Sequence, residues 1–435
     1  MEHAYVRLLY GIINRSAKIK NMFKSLKLST WRQYQNIDIE FHPRLTIITG
    51  ANGAGKTTLL NILSPHFGWN SQLVGTPKKD KKTGGLKFYS GFWKNLFSKN
   101  THIVGQSIST IGKLTYQNEV SSNIIIPNQI GSTYNVEIQN QQHIQGIHIA
   151  SHRPSYKYQN VPNISTTAIS KQNAYNNHRS VSIQRNQGGH SHKSEVYFIK
   201  ETLISLATFG YGNEIVSRND ISVNLFEGFQ EVLRKVLPPK LGFEKISIRI
   251  PEVILETKSG EFALDAVSGG ISSIIDLAWQ IYMFENNDKP FCVTFDEPEN
   301  HLHPEIQKTL LPNFLNAFPK AQFIIASHNP FIISSVPDSK VYVLNYNEDN
   351  RVQSFLLENI EKSGSANEIL RDVLGIESTK PDWVNNQIDD ILNKYSENGI
   401  TPDNIEKFKS ELKMVGLDKF VHTSVADLIQ KSKKK

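Results

Sequence analysis

Three short runs in this chain are apolar at nearly every position instead of alternating: LTIIT at 45–49, FCVTF at 291–295 and QFIIA at 322–326. A strand with one face in solvent alternates with a period of two. Continuous runs therefore predict strands covered on both sides, as in a parallel sheet. Each run ends in polar residues: GANGAGKTT after the first, DEPEN after the second and SHNP after the third. Polar chemistry thus gathers at the carboxyl ends of buried strands, where open α/β sheets place ligands.

Other segments alternate. NIDIEF (36–41), with LKLST (26–30) ahead of it and the PRL turn behind, predicts an antiparallel hairpin feeding the first buried strand. KLTYQ, SNIIIP, YNVEIQ and GIHIAS, between 113 and 151, predict a flanking antiparallel sheet. Two helical patterns follow at VYFIKETLISLATF (196–209) and LFEGFQEVLRKVL (225–237), with no heptad run long enough for a coiled coil. ISIRIPEVILETKSGEFALDAV (246–267) then reads as strands around a KSG turn. From about residue 345 the pattern is helical, in NEILRDVLG, WVNNQIDDILNKY, NIEKFKSELKMVG and VADLIQK. The Asn-, Ser-, Gln- and His-rich stretch from 166 to 192 reads as a mobile loop, with His190 and His192 in solvent rather than on a metal.

Composition narrows the class. The chain has 435 residues, 39% hydrophobic and 20% charged, which suits a globular protein of two or three structural units. No apolar run reaches the roughly 18 residues of a membrane-spanning helix, so no membrane partner is expected. MEHAYVRLLYGIINRSAK at the start reads as a local helix, not a signal peptide. With Cys292 as the one cysteine, an intrachain disulfide framework is excluded, and a reducing cytoplasm is the expected setting. A net charge of +7 is compatible with DNA as a partner. The lysine clusters KKDKK (78–82) and QKSKKK (430–435) read as a solvated loop and a frayed tail.

Candidate chemistry starts at Gly50, where G-x-x-x-x-G-K-T follows a strand and opens a helix. That context lets backbone N–H groups surround phosphate oxygens, with lysine reaching the β/γ-phosphates and the threonine hydroxyl holding Mg2+. Asn52, Gly53, Ala54, Gly55, Lys56, Thr57 and Thr58 are the nucleotide-binding candidates. Asp296 and Glu297 end a second buried strand: Asp296 as the outer partner of Mg2+, Glu297 as the base that positions water for attack on the γ-phosphate. His328, after the third strand, can hold the same water. Ser268, Gly269 and Gly270 precede a helix with apolar residues at Ile271, Ile274, Ile275, Ala278, Ile281 and Tyr282, and so offer a second anion nest. One chain already has its phosphate cradle, which points to the nucleotide of a second copy. Arg32, in the hairpin, is either a phosphate contact or an exposed arginine on an edge strand.

S-G-G before a helix, then D-E-P at a strand end, then S-H-N-P resembles the ABC-class ATPase head shared by RecF, the SMC proteins and OLD-type prokaryotic ATPases. The wording DEPENHLHPE and ASHNPFIIS looks like the AAA-15/AAA-21 branch, which includes ATPase subunits of anti-phage systems of the PARIS, Septu and OLD kinds. The resemblance implies an α/β fold: an ABC-type P-loop NTPase head, with a mixed-sheet core and an antiparallel β subdomain, plus a helical insertion and a helical C-terminal segment. It implies ATP and Mg2+ sandwiched between two heads, with Gly50, Gly55, Lys56, Thr57, Asp296, Glu297 and His328 from one and Ser268, Gly269 and Gly270 from the other. It also makes Arg32 a plausible phosphate contact. The glutamine that such heads carry on a loop after the P-loop is ambiguous here: Gln142, Gln145 and Gln159 are candidates, and His152 and Arg153 are alternative sensors.

The expected organisation is an extension at 1–24, an N-terminal lobe at 25–165, a polar loop and helical arm at 166–250, a C-terminal lobe at 251–345 and helices at 346–435. Where OLD-type proteins continue into a nuclease, this chain offers no Asp-x-Asp at a strand end and no clustered His-Asn-His. The expectation is an ATP-driven homodimer, with a larger ring left open, acting as sensor or scaffold beside a separate effector such as a nuclease. The alternative is a RecF-like ATPase that binds DNA in repair or maintenance.

Overall fold

The computed structural model describes residues 22–79, 84–91, 108–128, 130–153, 156–165, 169–286, 289–376, 380–396, 401–421 and 424–425. Most of the 1–24 extension, the second half of KKDKK and the lysine tail lie outside the described residues. The chain divides into two compact units, residues 1–369 and 370–435.

The first unit is built on an 11-stranded mixed sheet. Its parallel part runs Gly146–Ile149, Phe291–Asp296, Ala321–Ala326, Leu45–Gly50, Lys340–Tyr346. The three continuous apolar runs lie side by side at its centre, and all six residues of each of the strands Leu45–Gly50, Phe291–Asp296 and Ala321–Ala326 are buried. Val352–Leu356 pairs antiparallel with Lys340–Tyr346 and parallel with Tyr34–Glu40. The sheet then continues antiparallel through Phe23–Leu28, Ile108–Tyr116, Ser121–Pro127 and Glu137–Ile138. Alternation in Tyr34–Glu40 is the mark of this half-covered part: Tyr34, Ile37 and Ile39 face inward. A core of Phe23, Leu26, Trp31, Ile37, Leu59, Leu63 and Tyr116 locks it to the helix Lys56–Leu63.

The strand Val352–Leu356 corrects the expectation that the chain turns purely helical after residue 345. Its five residues are too few for the sequence pattern to separate from helix.

A second correction concerns the polar stretch after residue 166. Lys171–Asn186 is a helix capped by the Ser170 hydroxyl, not a mobile loop. Its inward positions, Ala174, Tyr175, His178, Val181 and Ser182, recur at helical spacing. Two of the five are polar, and the interior answers them: His178 Nε2 lies 2.7 Å from Asp276, and the Ser182 hydroxyl donates to Glu195 at 3.4 Å. Helices Glu195–Tyr211 and Asp220–Val236 form the arm, beside a three-stranded antiparallel sheet of Phe243–Arg249, Glu252–Thr257 and Gly260–Ala263.

The second unit contains helices Asp382–Ser396 and Pro402–Met414, closed on Val384, Ile388, Ile391, Phe408 and Leu412. No helix among the described residues is long and apolar enough to cross a membrane.

Candidate functional site

The P-loop forms because its glycines adopt backbone that other residues avoid. Gly50, Gly53 and Gly55 have φ of 133°, 82° and 98°. A Cβ at Gly55 would run into the Tyr34 ring and hydroxyl, so that position is closed to side chains on both counts. Tyr34, fully buried in the hairpin, donates its hydroxyl to the Gly55 carbonyl at 2.7 Å and pins the turn to the antiparallel layer. Lys56 turns inward, its ammonium donating to the Gly50 and Ala51 carbonyls at 2.9 and 3.1 Å.

Adjacent strands carry the second and third motifs. Asp296 is level with Ala326, and Ala326 with Ile48, across the sheet. This register places the Thr57 hydroxyl 3.2 and 3.0 Å from the two Asp296 carboxylate oxygens. Burial pushes the Asp296 carboxyl up and the Lys56 ammonium down, and each opposes the other's shift. An alcohol beside a carboxylate is a hard-oxygen donor pair, which fits Mg2+ better than a soft or borderline metal.

Glu297 sits at φ 46°, in the left-handed region, on a turn whose amide donates to the Ala326 carbonyl at 2.8 Å. Its two carboxylate oxygens are engaged separately. His328 Nδ1 lies 3.1 Å from one, and Asn300 donates to the other at 3.0 Å. Strained backbone under an acid, with both oxygens oriented, is an arrangement met at reacting centres. Asn300 was missed at sequence level; its place three residues beyond Glu297 on the same turn is the signal that could have found it.

Ser268 caps the helix Gly269–Phe284 by position alone, since its hydroxyl accepts none of the helix's amide protons. Ser268 and Gly269 are exposed, and a Cβ at Gly269 would meet nothing within 4 Å. An uncapped helix N-terminus with open space before it can accept an anion delivered from outside the chain.

The family model described as the RecF/RecN/SMC N terminal domain matches residues 22–352. The chain belongs to this family. It carries a P-loop head of the RecF/SMC kind and is similar to the Septu protein PtuA of Bacillus thuringiensis, with 23% identity over 210 residues that cover 43% of this chain and 53% of that protein. A Septu protein PtuA of Bacillus mycoides is 29% identical over 158 residues, covering 34% of this chain and 21% of that one. The chain spans about half the length, or less, of these curated relatives. Among solved structures it is similar to the SMC head domain from Thermotoga maritima, with a TM-score of 0.39 and 13% identity over 77% of this chain and 99% of that one.

Within this RecF/SMC-type head the remaining candidates fall in different places. Arg32 is in the hairpin turn at φ 49°, donating to the Val74 carbonyl at 2.7 Å and lying over the Trp31 and Tyr134 rings. Gln142 donates its side chain to Asn140, and the Gln145 carbonyl accepts the Cys292 amide. Gln159 is bound by Ser194, His192 and Lys200. These contacts engage the side chains of Gln142 and Gln159 away from Thr57 and Asp296, while Gln145 is exposed. His152 is exposed beside Ser151. Arg153 alone of the set reaches the Glu297 turn, donating to the Glu297 and Pro298 carbonyls at 2.9 and 3.2 Å.

Proposed function

We propose that the chain hydrolyses ATP at Glu297, and that two copies close on ATP, with Ser268, Gly269 and Gly270 of one facing the P-loop nucleotide of the other. The observation that carries this reading is the contact of Thr57 with Asp296, which draws two motifs 239 residues apart into one site. In it, the amides of Asn52 to Thr58 and the Lys56 ammonium would hold the phosphates. Thr57 and Asp296 would hold Mg2+, whose charge offsets that of the phosphate oxygens. Glu297, steadied by His328 and Asn300, orients a water and polarises it for attack. Closure and release of the pair would be the output, passed to other elements as a shift in population.

The similarity to Septu proteins supports a biological setting in anti-phage defence, with a separate effector such as a nuclease held and released by the ATPase. Glu297→Gln, which should bind ATP and not turn it over, would be isolated gently from source cells and its neighbours identified by mass spectrometry. A stoichiometric nuclease or other toxin supports the defence reading; a homodimer carrying only DNA removes it.

A second reading, a DNA-binding ATPase, has one observation in its favour. In the hairpin Thr76–Lys79 with Leu86–Tyr89, Lys78 pairs opposite Lys87, with Lys79 alongside. Lysines gathered on one hairpin form the kind of basic patch that contacts nucleic-acid phosphates. DNA affinity that falls steeply with salt would support a phosphate contact here; salt-independent or absent binding removes it.

A further inference from the structure

We propose that Arg153 is the positioning residue for Glu297, holding the catalytic turn in its left-handed conformation and linking it to the helix that begins at Gly269. This role presupposes that Glu297 polarises the attacking water. Arg153 follows the edge strand Gly146–Ile149 and is 9% exposed. One guanidinium nitrogen, Nη2, serves both the Glu297 and Pro298 carbonyls. The Pro298 contact is buried and the Glu297 contact half-buried, and the Glu297 carbonyl also accepts the Asn300 amide at 3.2 Å. Removing the guanidinium leaves the buried Pro298 carbonyl unpaired and the half-buried Glu297 carbonyl with the Asn300 amide, and the turn regains a partner for Pro298 by relaxing its backbone. The carboxylate then leaves His328 and Asn300. A misplacement of about 1 Å at a reacting group lowers rate on the order of 10²-fold.

The rest of the guanidinium faces the other way. Nε and Nη1 are buried with no hydrogen-bond partner, and so is Oε2 of Glu299. The charges around Arg153 are Asp276, Glu299, Asp296 and Glu297, in falling order of influence. Asp276 belongs to the helix Gly269–Phe284 and is held by His178 at 2.7 Å and Gln280 at 2.8 Å. Two unused donors thus lie among an acid of that helix and an acid of the catalytic turn. A shift of the helix, whose N-terminus would meet the second copy's nucleotide, changes the field on Arg153 and through it the set of Glu297.

The test compares full-length Arg153→Gln, Arg153→Lys and Glu297→Gln with the parent chain. Amide exchange of residues 297–302 is followed without nucleotide, ATP affinity by direct titration, and kcat and KM by phosphate release. Arg153→Gln is expected to speed exchange at the Glu297, Asn300 and Leu302 amides and to lower kcat on the order of 10²-fold, with ATP affinity within about threefold of the parent. Arg153→Lys, whose ammonium can serve one carbonyl, should recover part of the loss. Both variants turning over within twofold of the parent overturns the proposal, as does a loss shared equally by ATP affinity and kcat. If Arg153→Gln does not fold, Arg153→Lys, which keeps the buried charge, decides by the same criteria. A fully active Glu297→Gln would instead overturn the reading of Glu297 itself.

Discussion

Gly269→Ala separates a glycine kept for folding from one kept for a partner. The helix begins at this residue, and a methyl group there meets no atom within 4 Å. Replacing a compatible glycine by alanine stabilises by about 0.4–1 kcal/mol, chiefly by restricting the unfolded chain. Gly269→Ala should therefore melt at or slightly above the parent. Its methyl group nevertheless fills the space through which the second copy's nucleotide would approach. An overpacked contact costs about 1–3 kcal/mol, so ATP-dependent pairing should weaken roughly tenfold to 100-fold. Gly50→Ala is the contrasting control. Gly50 has φ 133°, and its Cβ would lie 3.1 Å from the Leu344 backbone nitrogen and carbonyl carbon and nearer still to the oxygen. Backbone strain and overpacking in the central sheet together come to about 4 kcal/mol, seen as a melting point several degrees lower. Thermal melts and ATP-dependent sedimentation on both variants complete the comparison. Gly269→Ala melting far below the parent would refute the open-space argument; pairing equal to the parent would refute a nucleotide at this end of the helix.

Two further outcomes follow from buried charge. Burial of Glu299 pushes its carboxyl up to about 7, above the usual carboxylate range. The nucleotide-free folded chain then keeps a proton that the unfolded chain loses near pH 4.5, so this group's contribution to stability is full below that pH, falls as pH rises to about 7, and is flat beyond. Glu299→Gln should remove that fall and exceed the parent at pH 8 by up to about 3 kcal/mol in denaturant titrations; parallel pH profiles would contradict it. Lys200 is fully buried between Glu252 at 2.7 Å and Asp265 at 2.9 Å, and Asp265 lies three residues before Ser268. Lys200→Met leaves a buried, unpaired aspartate and should cost about 3 kcal/mol; a loss under about 1 kcal/mol in the same titration would show the pair to be dispensable.

The central sheet was legible in the sequence because strands buried on both faces need no partner to declare them: Leu45–Gly50, Phe291–Asp296 and Ala321–Ala326 are buried throughout and largely apolar, and each delivers its motif at its carboxyl end. The P-loop carries its own backbone constraint in its glycines. The helix Lys171–Asn186 was hidden because His178 and Ser182 point inward, and what makes them acceptable there is Asp276 and Glu195 from elsewhere in the chain. Arg153 could be named only as one of several sensors, since its partners lie 144 and 145 residues away and are carbonyls, which leave no trace in a residue pattern. Glutamine spacing left Gln142, Gln145 and Gln159 equal for the same reason: Gln159 reads as free and polar in sequence, yet it is tied to Ser194 and Lys200.

In the proposed cycle ATP closes two heads and hydrolysis at Glu297 reopens them. Glu297→Gln, with and without ATP and Mg2+, should be followed by light scattering on a sizing column at fixed protein concentration. The variant is expected to run at the mass of one chain without nucleotide and at twice that mass, with about one ATP retained per chain, when ATP and Mg2+ are present. A variant that retains ATP and stays at the mass of one chain would contradict the head pair.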